Sequence, residues 1–171
     1  MTDPSRMSAT ELTAALRRRE VSSRELLDHY LTRVADDAGS VNAVVTLDVE
    51  RATAAAAAAD GALAAGGPTG PLCGLPMTVK DALETADLRT TSGAPELANH
   101  VPDRDADAVA RLRAAGAVIF GKTNVPPYAA DFQTANDIFG VTTNPWDPSR
   151  SPGGSAGGAA AALAAGTLGS R

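Results

Sequence analysis

Apolar positions at the start of this chain recur at helical spacing. Ser8-Ala-Thr-Glu11 has the residue types of a capping box, and Leu12, Ala15 and Leu16 follow on one helical face. Ser22-Ser-Arg-Glu25 repeats the pattern ahead of Leu26, Leu27, Tyr30, Leu31 and Val34. The chain therefore opens with two short helices. Val41 to Leu47 is rich in valine and reads as a strand. An alanine helix is expected from about Val49 to Ala65, stopped by Gly66-Gly67-Pro68. Met77-Thr-Val-Lys80 is a short extended run after Gly74-Leu-Pro76. Asp105 to Ala115 reads as a helix, with Ala108, Leu112 and Ala115 at helical spacing and Gly116 as its C-cap. Ala117-Val-Ile-Phe120 suits a short buried strand.

Val125-Pro-Pro127 and Asn144-Pro-Trp-Asp-Pro148 are loops by proline chemistry. Pro152-Gly-Gly-Ser-Ala-Gly-Gly158 is a glycine-serine loop that runs into an alanine helix. Strands alternate with helices, so the class is α/β. The strands are few and short, as in one part of a larger sheet. No internal repeat or linker divides the chain.

Composition narrows the partners. Apolar residues make up 44% of the 171, but many are alanine and only 4% are aromatic, so the core is built from small side chains and closely packed helices. The net charge of −5 repels phosphate backbones, which excludes nucleic acid as a direct partner. One cysteine, Cys73, cannot form an internal disulfide. The N-terminal residues lack the apolar core of a secretory signal, and Gly157 to Gly166 is about half the length that a membrane span needs. These features predict a cytoplasmic protein with no membrane contact. His29 and His100 each lack a ligand partner at helical spacing, so neither a metal nor a cofactor is implied. A homodimer is allowed by the sequence and not specified by it.

Three constellations could carry chemistry. Gly116-Ala-Val-Ile-Phe-Gly121-Lys122-Thr123 fits the phosphate-loop pattern G-x-x-x-x-G-K-[ST]. Its context is reversed: a helix precedes it, its variable residues are strand-like, and Asn124-Val-Pro-Pro127 follows where a helix should begin. The better reading is a buried strand that ends in a turn, with Lys122 at the exposed end. Lys80 is the second candidate. Most lysines are solvated surface charges. In an extended strand, however, Val79 and Asp81 face away from Lys80, so Asp81 need not pair with it. A partly desolvated lysine held away from carboxylates can serve as a general base. The third is Ser155, inside Gly-Gly-Ser-Ala-Gly-Gly. Taken alone the tract is either a flexible turn or a tight helix entry that presents one hydroxyl.

Together these segments resemble the amidase-signature family. The resemblance rests on Gly74-Leu-Pro-Met-Thr-Val-Lys-Asp81, Thr90-Thr-Ser-Gly93, Ala115 to Asn124, Asn144-Pro-Trp146 and Pro152 to Gly166, in that order. It spans about Glu11 to Gly166 and implies the N-terminal part of that fold, a mixed sheet flanked by helices, incomplete here. On this reading residues 1–171 are a partial amidase domain. A helical segment covers about 8–36, a motif-bearing α/β portion about 41–166, and a divergent tail 167–171.

The resemblance implies hydrolysis of a small carboxamide to an acid and ammonia or an amine through an acyl-serine, by a Ser-Ser-Lys triad. Lys80 resembles the family's general base. Ser155 resembles its middle serine, whose preceding peptide bond is cis. Many members have a second serine next, where this chain has Ala156. The family's nucleophile lies in a G-[ST]-D-x-G-G-S-[IV]-R pattern. Thr167-Leu-Gly-Ser170-Arg171 lacks its aspartate and paired glycines, and Ser170 comes only 15 positions after Ser155. No nucleophile is therefore assigned, and a truncated, inactive chain is expected. Two alternatives stand beside this reading. One is the glutaminase component of a tRNA-dependent amidotransferase, against which Ala82 counts because that component commonly carries asparagine there. The other is a non-catalytic truncated chain that binds amides.

Overall fold

A computed structural model describes residues 3–37, 39–66 and 69–169. Both capping boxes form. Ser8 Oγ accepts the Glu11 N–H at 3.2 Å while the Glu11 carboxylate takes the Ser8 N–H at 2.7 Å. Ser22 and Glu25 do the same at 3.1 and 2.9 Å. Helix α1 (Ala9–Arg18) buries Leu12, Ala15 and Leu16, and α2 (Ser23–Asp37) buries Leu26, Leu27, Tyr30 and Val34. Helix α3 (Val49–Ala65) presents Ala52, Ala56 and Ala59 to the interior and ends on Gly66 in the left-handed conformation. Gly67 and Pro68, expected to stop it, lie outside the described residues.

Three strands form a mixed sheet in the order β1-β3-β2: β1 (Val44–Leu47), β2 (Pro76–Lys80) and the central β3 (Val118–Thr123). β3 runs antiparallel to β1 and parallel to β2. Val118 and Phe120 join Leu75 and the apolar residues of α1, α2 and α3 in one core, where the Phe120 and Tyr30 rings stack with centroids 6.3 Å apart. On the opposite face Ile119 and Val79 pack with Val109 of α4 (Asp107–Ala114). Helix α5 (Gly157–Ala164) sets Ala161 and Ala162 against Val41 and Ala43. A two-stranded ribbon, β4 (Ala135–Asn136) with β5 (Gly140–Val141), lies between β3 and α5 in sequence. Among the described residues no helix is long and apolar enough to cross a membrane.

Some local expectations need correcting. The valine-rich run enters the sheet only at Val44, because Val41 and Ala43 are buried against α5. On α4 the inward residue is Val109, with Leu112 partly buried beside it, while Ala108 is exposed. That helix ends with Ala115 as its C-cap, and Gly116 follows at φ +92°. The largest change is at β3. It continues through Gly121, Lys122 and Thr123 as fully buried strand, because β1 and β2 both pair with those residues. Lys122 is therefore 0% exposed and not at the open end of a turn.

Candidate active site

Lys80 is the last residue of β2 and lies opposite Thr123 in the parallel ladder. Strand alternation sends Lys80 to one face of the sheet and Val79 and Asp81 to the other. Asp81 is fully buried and accepts hydrogen bonds from the Thr91 N–H and hydroxyl. Burial raises its pKa, opposed by the Thr91 hydroxyl and by the charge of Lys122. Lys122 Nζ donates to Leu83 O, Thr85 Oγ1 at 2.9 Å and Thr90 Oγ1 at 2.8 Å. Burial lowers its pKa to about 8, against the pull of Asp81, Asp105 and Glu84. All three Nζ protons are matched by protein oxygens, so this lysine is not placed to meet a phosphate. Within the phosphate-loop pattern of residues 116–123, Val118–Thr123 form a buried strand.

Ser155 lies 75 residues from Lys80 in sequence, in the turn that opens α5. Lys80 Nζ stands 2.7 Å from Ser155 Oγ. The Gly154-Ser155 peptide bond is cis. The turn packs too closely for side chains at its far end. A Cβ on Gly157 would stand 2.2 Å from Thr134 Oγ1, and one on Gly158 would stand 2.5 Å from both Asn124 N and O. Glycines here let the start of α5 rest directly on the end of β3.

Residues not singled out in the sequence build the seat of this turn. Thr134 Oγ1 donates to Gly153 O at 2.7 Å. Asn136 Nδ2 donates to Asn124 Oδ1 at 2.7 Å and to Val125 O at 2.8 Å. Asn124 Nδ2 reaches Thr142 Oγ1 at 3.0 Å, whose hydroxyl donates to Asn42 O at 2.7 Å. The one available signal was the two-residue spacing of Thr134 and Asn136 around a short ribbon. Uncharged polar residues in that pattern are common enough to pass unnoticed.

Ser155 is half-buried and opens toward solvent between exposed Gly154 and Ala156. Tyr128 and Ala129, shortly before Thr134, hold left-handed backbone at φ 53° and 55°, a strained conformation that tends to cluster at functional sites. Chemically, an amine in contact with a hydroxyl is a proton path. No third hydroxyl is hydrogen-bonded to the pair among the described residues, and Ser170 lies outside them. No group of three metal-ligating side chains occurs among the described residues.

Comparison with known proteins follows the same outline. The family model Amidase matches residues 25–169. The chain is 50% identical over 159 residues to the A component of the glutamyl-tRNA(Gln) amidotransferase of Burkholderia pseudomallei (strain 668), covering 93% of this chain and 32% of that one. Among solved structures it is similar to a 6-aminohexanoate cyclic dimer hydrolase, with TM-score 0.85 and 32% identity over 98% of this chain and 33% of the other. It is also similar to a fatty acid amide hydrolase, with TM-score 0.89 and 26% identity over 98% of this chain and 30% of the other. The chain thus spans about a third of the length of these relatives.

Proposed function

Because the chain belongs to the Amidase family, we propose that it supplies the general base and the proton relay of an amide hydrolase. The observation that carries this reading is the 2.7 Å contact between Lys80 Nζ and Ser155 Oγ. In the proposed cycle a neutral Lys80 takes the Ser155 proton as Ser155 takes one from a nucleophilic serine. The freed alkoxide attacks the amide carbonyl carbon, and the C–N bond breaks as the proton returns by the same path to the leaving nitrogen. Water then adds to the acyl-serine with the pair as base, giving a carboxylic acid and restoring the serine. Ammonia or an amine is the other product.

No nucleophile is assigned among residues 3–169, where no third hydroxyl is hydrogen-bonded to the pair. Those residues alone are expected neither to hydrolyse carboxamides nor to take up a fluorophosphonate. Covalent uptake at Ser155 itself would overturn its assignment as relay. In a form of the protein that releases ammonia or amine from small amides, K80A is expected to lower kcat on the order of a hundred- to ten-thousand-fold, the range of general-base catalysis. A K80A rate within threefold of wild type would sink the proposal.

A second reading is favoured by one observation, the 50% identity to the A component of an amidotransferase. On that reading the substrate is glutamine, and the ammonia released is passed to a partner rather than lost. Ala82, in place of the asparagine common in that component, counts against it. Glutamine hydrolysis that appears only when a partner protein is added would favour it. Partner-independent turnover of simple carboxamides would favour the free-standing amidase.

A further inference from the structure

We infer that Thr134 is a positioning residue: its hydroxyl fixes the glycine turn in the arrangement that holds Ser155 against Lys80. The inference rests on the relay role proposed for Ser155. The turn from Pro152 to Gly158 contains four glycines, whose backbones have more accessible conformations than any other residue's. Left to itself, such a turn would present the Ser155 hydroxyl in many directions. Among the described residues, two side-chain hydrogen bonds tie it to the rest of the chain. One is the Lys80–Ser155 contact. The other is Thr134 Oγ1 to Gly153 O, also at 2.7 Å. The bond from Gly153 N to Ser151 Oγ is local to the turn.

Thr134 is itself held firmly. It is 1% exposed, and its carbonyl accepts the Thr142 N–H at 2.9 Å. Two residues on, Asn136 is bound to Asn124 and Val125, which directly follow β3. β3 in turn pairs with β2, at whose end Lys80 stands. These links close a ring: Lys80, β2, β3, Asn124, Asn136, Thr134, Gly153, Ser155 and back to Lys80. Thr134 also packs against the far end of the turn, where a side chain on Gly157 would collide with its hydroxyl. Among the described residues, it is the side chain that both hydrogen-bonds Gly153, before Ser155, and packs against Gly157, after it. Removing its oxygen breaks the ring at one link and leaves the strands in place.

The chain has only two lysines, Lys80 at the site and the buried Lys122, so amine chemistry reads site and fold separately. The 171-residue protein would be treated with an acetylating N-hydroxysuccinimide ester, and modification at each lysine followed by peptide mass spectrometry. Lys122 should stay unmodified while the protein is folded. S155A is expected to speed Lys80 acetylation about three- to tenfold, the factor that corresponds to one net hydrogen bond. T134A should match S155A, and T134S, which restores the oxygen alone, should return to the wild-type rate. A T134A rate equal to wild type, with S155A still fast, overturns the inference. Equal Lys80 rates in wild type and S155A would instead show that the pair does not form, and would sink the relay reading. Should T134A expose Lys122, T134V replaces it, because that variant keeps the packing volume and lacks the donor.

Discussion

Lys80 and Lys122 show what a residue's neighbours do to one side-chain type. Lys80 sits at a strand end and meets a hydroxyl from a distant turn. Lys122 points into the protein, where burial holds its pKa at about 8, below the ordinary 10.5. Between those values the unfolded chain binds more protons than the folded one, so stability rises with pH across that window. Tyr30 acts in the opposite sense. Burial pushes its pKa from 10.0 up to about 12, so the folded chain keeps that proton longer and stability falls as pH climbs through that range. The melting temperature should therefore rise from about pH 8 to about pH 10 and then turn over. A flat or falling curve in the lower window would show that Lys122 is not held down by burial. The sequence made Lys80 and Ser155 legible because motif order around each is distinctive. It hid the setting of Lys122, because Leu83 O, Thr85 and Thr90 reach the ammonium from a loop some thirty to forty residues earlier. No local pattern announces such a partner set.

Elements defined by their own composition were readable, and those defined by neighbours were not. The bounds of α3 followed from alanine content and a glycine stop, and both capping boxes formed where the serine-glutamate spacing placed them. The length of β3 did not follow, because Gly121 to Thr123 look like a turn until β1 and β2 are set on either side. Glycines within helices divide in the same way. Gly61 lies on the exposed face of α3 with open space where a Cβ would go, so G61A should stabilise the protein by about 0.5–1 kcal/mol. Gly158 lies in the first turn of α5, against Asn124. G158A should cost about 1–3 kcal/mol, the usual penalty of overpacking, and should shift α5 off β3. Denaturant unfolding of the two variants would check both signs, and a stabilised G158A would mean that α5 does not rest there.

At the scale of the whole molecule, the α/β class was legible in the alternation of elements, while the mixed sheet came only from the family resemblance. What faces solvent was less so. Phe132 and Trp146 are 83% and 84% exposed, although the sequence marked the tryptophan only as part of a proline loop and of a family motif, neither of which fixes its exposure. Trp146 is the chain's one tryptophan, so its fluorescence should resemble indole in water and be fully open to iodide quenching. A blue-shifted, protected emission would show that this face is covered in solution. The central place of β3 bears on synthesis as well. β1 and β2 have no strand partner in the sheet until Val118–Thr123 have been translated, and Ser155 arrives later still. A nascent chain can gather α1 to α3 before then, but the sheet must wait, and non-local pairing is slow to form. Ribosome pauses before codon 118 would thus prolong the life of two open strand edges, whereas pauses after α5 has emerged would find the sheet already paired.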